Sequence, residues 1–100
     1  MRHVLIGNER YGLYIGIIDD DATDAQIAST RSVRVRECRH VARWFGKSGG
    51  ITSLAAHGPC GPRASESRVG APCTTALLTG VVNVYDLSPE AIEAFAGVVS

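Results

Sequence analysis

Between Tyr11 and Ile18 the side chains alternate, and both sets are largely apolar. Leu13, Ile15 and Ile17 fall on one face of a strand; Tyr14, Gly16 and Ile18 fall on the other. Such a strand suits a sheet covered on both sides, or a barrel with a partner on the outside. Gly12 and Gly16 interrupt it, and glycine inside a strand marks a bulge or a close backbone approach. The run His3 to Ile6 supplies a first strand before it. Ser32 to Glu37 alternates strictly, with Val33 and Val35 opposed to Arg34 and Arg36, as in a half-buried strand. Cys38 to Phe45 continues as a second β segment, ended by a turn over Gly46 to Gly50. Ile51 to His57 reads as a short helix with Gly58 as its stop.

Thr74 to Tyr85 is again β in character. Ser88-Pro89-Glu90 signals a helix start, and Ile92, Phe95, Ala96 and Val99 give its apolar stripe. Gly58 to Pro72 holds three of the four prolines and reads as a long Gly/Pro loop. The expected fold class is α+β, a single domain over residues 1–100. It would have a small, strongly curved antiparallel sheet or partial β-barrel of four to five strands, a short middle helix and a C-terminal helix.

Composition narrows the function classes. Apolar residues make up 45% and the formal charge is zero, which excludes a disordered chain and a generally basic nucleic-acid binder. No apolar run approaches the roughly 18 residues that span a bilayer. Gly7, Asn8, Glu9 and Arg10 break the start of the chain before a signal-peptide core forms, so a cytoplasmic location is expected. Three cysteines, Cys38, Cys60 and Cys73, are an odd number and read as reduced thiols. A chain this short buries about 60–65% of its unfolded surface, so a homo-oligomer is expected to help it.

Several motifs lead nowhere. Gly46-Lys47-Ser48 lacks the glycine five residues upstream that a P-loop needs, because Val41 stands there. Asp19, Asp20, Asp21 and Asp24 lack the glycine and distal acid of a calcium loop and read as a solvated turn. Cys38, His40, His57, Cys60 and Cys73 have zinc-ligand chemistry but no paired spacing, so no metal and no cofactor are expected. His57 and Cys60 could meet across a turn, yet no hydrolase signature accompanies them, and the chain is read as a non-enzyme with no catalytic residues.

The arginines are more informative. Nine of the ten basic residues are Arg, and Arg31, Arg34, Arg36, Arg39 and Arg43 lie within thirteen positions. The charge is segregated: −3 over residues 1–30, +6 over 31–70 and −3 over 71–100. A guanidinium forks onto phosphate with two hydrogen bonds, and Trp44 and Tyr14 offer stacking surfaces. Arg34, Arg36, Arg39, Arg43, Trp44 and Tyr14 are therefore the candidate ligand-binding set for a nucleotide-derived small molecule.

Tyr11-Gly12-Leu13-Tyr14-Ile15-Gly16, Val35 through Trp44, Ile51 through Gly58, Leu78-Thr79-Gly80-Val81-Val82-Asn83-Val84 and Ser88-Pro89-Glu90-Ala91 together resemble a family of small bacteriophage-encoded accessory proteins. The resemblance implies a protein made in the cytoplasm of the infected bacterial host. It further implies a counter-defence role, acting without chemistry by sequestering a nucleotide-type immune signal between protomers. The alternative is a protein-interaction module that blocks a host defence protein or serves as a minor virion component. Neither reading includes a membrane or a nucleic-acid partner.

Overall fold

A computed structural model of the chain describes residues 1–46 and 50–98. The first two strands, β1 (Arg2–Asn8) and β2 (Gly12–Ile18), form an antiparallel hairpin. Asn8 Oδ1 accepts the N–H groups of Arg10 and Tyr11 at 2.9 and 3.0 Å, and Gly12 takes φ +85°, a left-handed angle that suits glycine. The register sets Val4 opposite Gly16, Leu5 opposite Ile15 and Ile6 opposite Tyr14.

The expected acidic turn is followed by a helix, α1 (Asp24–Thr30). Thr23 accepts the N–H of Gln26 and the Gln26 side chain accepts the N–H of Thr23, a reciprocal cap that satisfies two end donors. Next comes β3 (Ser32–Arg43), one continuous strand where two segments were expected. Helix α2 (Gly50–His57) ends as the sequence predicts: Gly58 has φ +69° and donates to the Leu54 carbonyl at 2.7 Å. The turn expected over Gly46 to Gly50 lies largely outside the described residues. The Gly58–Pro72 segment is not featureless; it holds a 3₁₀ turn (Ala64–Glu66) and the two-residue β4 (Arg68–Val69). Strands β5 (Cys73–Thr79) and β6 (Val81–Asp86) and helix α3 (Pro89–Ala96) complete the chain.

The sheet is antiparallel and runs β4-β3-β2-β1-β6, with β5 paired to β3 beside β4. The α+β class holds, but the sheet has six strands rather than four or five. It is also an open sheet, not a strongly curved sheet or partial barrel. β5 and β6 are consecutive yet pair with β3 and β1, so they diverge from Gly80 instead of forming a ladder that would close the sheet.

Apolar residues on both faces of β2 are accounted for by two separate cores. Val4, Ile6, Ile18, Val33, Val35 and Leu78 cluster on one face, with Ile27 of α1 over them. Leu5, Ile15, Val41 and Val69 cluster on the other, under Leu54 and Ala55 of α2 and Phe95 of α3. Gly16 is required by the first core: a Cβ there would lie 2.2 Å from Val35 Cγ1. Ser88 joins the two helices of the second core. Its N–H donates to Ala55 O, its hydroxyl to Ala56 O, and its oxygen caps Ala91 N at 3.0 Å. No helix among the described residues is long and apolar enough to cross a membrane.

Candidate functional site: a cleft beneath the C-terminal helix

The site begins with a fault in the β2–β3 ladder. Ile15 faces Arg39, but Ile17 faces Arg36, so β3 carries one extra residue between these pairs. Glu37 sits within that bulge at φ +50°, a left-handed angle unusual for a residue with a Cβ. The extra residue inverts the alternation of β3. Val33 and Val35 enter the first core, whereas Val41, also odd-numbered, enters the second. On the same count Arg34, Arg36 and Arg39 share the face of the second core.

This changes what the arginines can do. Arg39 is half-buried and its fork is committed to the chain's own carbonyls. Nε donates to Gly70 O at 2.7 Å, Nη1 to Phe95 O at 3.0 Å, and Nη2 to Val98 O at 2.8 Å and Val69 O at 3.3 Å. It closes the C-terminus of α3 onto the β4–β5 connection, where a cation also suits the helix dipole. Its expected role as a phosphate ligand is therefore corrected to a structural one. Arg36 reaches Asp19 at 3.0 Å. Arg43 lies 5.2 Å from the Phe45 ring centroid, with Arg63 at 4.1 Å from the same ring. Arg34 is exposed and has no side-chain partner among the described residues.

Of the two stacking residues, Tyr14 is on the opposite face and Trp44 lies just past the far end of β3. Tyr14 lies on the first core's face, 5.0 Å from the His40 ring, and its partial burial raises its phenol pKa. Trp44 packs against the second core. Arg34 and Arg43 are nine positions apart on one strand, about 30 Å at roughly 3.3 Å per residue. The six residues thus do not form one site.

The other sequence candidates are also placed. The carboxylates of Asp19, Asp20 and Asp24 meet Arg36, the N-terminal amine and Arg2, so this end is an ion-pair cluster. The amine holds the Asp20 carboxyl below its usual pKa. His57 Nδ1 meets Glu90 Oε2 at 2.5 Å, linking the end of α2 to the first turn of α3. No group of three His, Cys, Asp or Glu among the described residues could hold a metal ion.

A cleft of about 290 Å³ opens between the second core's face of the sheet and α3. Ile15, Ile17, Leu87, Ile92 and Phe95 wall it, and His3, Glu37 and Arg39 bring polar groups. The bulge shapes it, because Gly16, Ile17 and Glu37 all line it. His3 and Glu37 have no side-chain hydrogen bond among the described residues, so both remain available to a ligand. His3 faces Ile17, which faces Arg36, so His3 and Arg36 flank the cleft on one row, each about 5 Å from Ile17.

Two larger concavities, about 410 and 420 Å³, are less suited. In the first, Asp24 and Arg31 are already paired with Arg2 and Glu9. In the second, Arg68 donates to Ser65 and Ser67 carbonyls. Sequence reading missed His3 and Glu37. A histidine in a strand carries no signal, and only the register reveals the bulge.

The fold and cleft define a small α+β protein, an open antiparallel sheet with helices over both faces and an apolar pocket under the last helix. The chain belongs to the family described as "Domain of unknown function (DUF6948)", whose model matches residues 1–95. No curated protein and no solved structure matches it.

Proposed function

We propose that this protein binds a small organic anion, of the class that includes nucleotide-derived signals, in the cleft beneath α3 and holds it without chemistry. The observation that carries the reading is the cleft itself: apolar walls beside two polar side chains that the fold leaves unpartnered, His3 and Glu37. Glu37 only accepts hydrogen bonds, so it suits N–H donors on the uncharged part of the ligand, and the anionic group is left to the arginines. Arg36, opposite Ile17, supplies positive charge at its rim, and Arg34 lies two residues further along the same face. The Arg36–Asp19 pair is exposed and weak, so an incoming anion displaces the carboxylate at little cost. With the phage resemblance, the ligand is a nucleotide-type immune signal and the role is its sequestration.

Native mass spectrometry of the purified chain, then calorimetry against linear and cyclic nucleotides, tests this. Binding is expected in the wild type, lost in Ile92→Trp, which fills the cleft, weakened in Arg36→Ala and unchanged in Tyr14→Phe. No heat with any nucleotide, or binding that survives Ile92→Trp, overturns the reading.

A second reading, an interaction module, is favoured by β5. Its outer edge has no strand partner among the described residues, its seven residues carry no charge, and Leu77 is 54% exposed. Such an edge accepts an extended, uncharged partner segment through backbone hydrogen bonds. Thr75→Pro would abolish that pairing and leave ligand binding in the cleft intact.

A further inference from the structure

Cys38 and Cys73 stand directly opposite each other in the β3–β5 ladder. Opposed antiparallel residues have Cα atoms about 4.5–5.5 Å apart, inside the 4.4–6.8 Å that a disulfide needs. The pair is asymmetric: Cys73 is exposed and Cys38 is buried. The third cysteine is elsewhere, with Cys60 held by its N–H on Phe45 O at 3.0 Å.

We propose that Cys38 and Cys73 are a reversible redox pair that closes to a cross-strand disulfide when the protein meets a small-molecule disulfide such as oxidised glutathione. The Cys73 thiol loses its proton and attacks one sulfur of the oxidant. The oxidant's S–S bond breaks, and its first half leaves as a thiolate that takes up a proton. Cys73 then carries a mixed disulfide. Cys38 loses its proton, attacks Cys73 Sγ and displaces the second half as a thiol. Two protein thiols become one disulfide, and the oxidant is reduced to two thiols. Burial pushes the Cys38 thiol up to about 11, and Cys73 adds to the shift through a hydrogen bond and its charge. The exposed Cys73 therefore attacks first and Cys38 resolves.

The position gives the bond a consequence. Cys38 follows Glu37 and Cys73 follows Pro72, and both of these neighbours line the cleft. Oxidation locks the β3–β5 pairing behind the sheet wall of the cleft; this consequence rests on the ligand reading above, whereas the bond does not.

The full chain is incubated with oxidised glutathione, and free thiols, intact mass and cysteine peptides are measured. Free thiols are expected to fall from three to one, with a mass about 2 Da below the reduced chain. A Cys38–Cys73 linked peptide is expected, and dithiothreitol reverses the change. Cys60→Ser forms the same link, and Cys38→Ser stops at a glutathione adduct on Cys73. A wild-type adduct that never resolves, a link through Cys60 or three unchanged thiols overturns the proposal. Should Cys38→Ser fail to fold, the wild-type and Cys60→Ser results decide. A link that forms in a chain that binds no anion leaves this proposal standing and removes the ligand reading alone.

Discussion

Replacing Arg39 by alanine removes the fork that joins α3 to the β4–β5 connection. Three of its contacts, to Gly70, Phe95 and Val98 carbonyls, lie at 2.7–3.0 Å. A hydrogen bond from a charged donor contributes about 1.5–3 kcal/mol. The group is half-buried, so water recovers part of that once the side chain is gone. A net loss of about 3–4 kcal/mol follows. A domain of this length has about 5–15 kcal/mol in all, so the variant loses a large share. With a urea slope of about 1–1.5 kcal/mol per molar, the unfolding midpoint falls by about 2–4 M. Arg39→Lys keeps the charge but not the fork, and should fall by about half as much. Arg34→Ala, on the same strand but exposed, should stay within about 0.5 kcal/mol of wild type. Equilibrium urea unfolding followed by circular dichroism reads all three. An Arg39→Ala midpoint within experimental error of wild type, with an unchanged slope, refutes the structural role of Arg39.

Three further outcomes are expected. Gly16→Ala places a Cβ 2.2 Å from Val35 Cγ1 and 2.9 Å from Arg36 O; thermal unfolding should show about 1–3 kcal/mol of destabilisation, partly restored by Val35→Ala in the same chain. Glu37→Gly relieves a left-handed residue and should stabilise the chain by about 0.5–1 kcal/mol, read in the same assay. Cys38 imposes a slope at high pH: an unfolded thiol ionises near 9.0, while the buried one keeps its proton to about 11. The unfolded state then binds fewer protons, so stability falls as pH rises through this window, by about 2–3 kcal/mol. Denaturant titrations at pH 8 and pH 11 should show a smaller drop in Cys38→Ala than in wild type.

The parts legible in the sequence were those set by local pattern. Alternation at Leu13 to Ile18 implied two covered faces, and two cores are present. Ser88-Pro89 marked the start of α3, and Gly58 marked the end of α2, because a cap and a left-handed glycine act within a few residues. Helix α1 was not expected: Asp24 reads as part of the acidic turn, although Thr23-Asp24-Ala25-Gln26 carries the capping box that starts the helix. The arginine site was not legible, because its geometry depends on one bulge. Continued alternation from Val33 puts Arg39 on the faces of Val33 and Val35; the extra residue at Glu37 sends it under α3 instead. Neither residue identity nor periodicity signals a left-handed glutamate inside a strand. Sheet closure was equally non-local, because it turns on whether β5 and β6 pair with each other or with strands far earlier in the chain.

The central claim is that the second core's cleft, and not the aromatic face of Tyr14, receives the ligand. Amide and methyl chemical shifts of the labelled full chain, followed through a titration with the nucleotide that gives the strongest calorimetric signal, test it most directly. Shifts are expected to concentrate at His3, Ile17, Glu37 and Ile92 and to fade toward Tyr14 and His40. Shifts centred on Tyr14 and His40, or along the β5 edge, would contradict it.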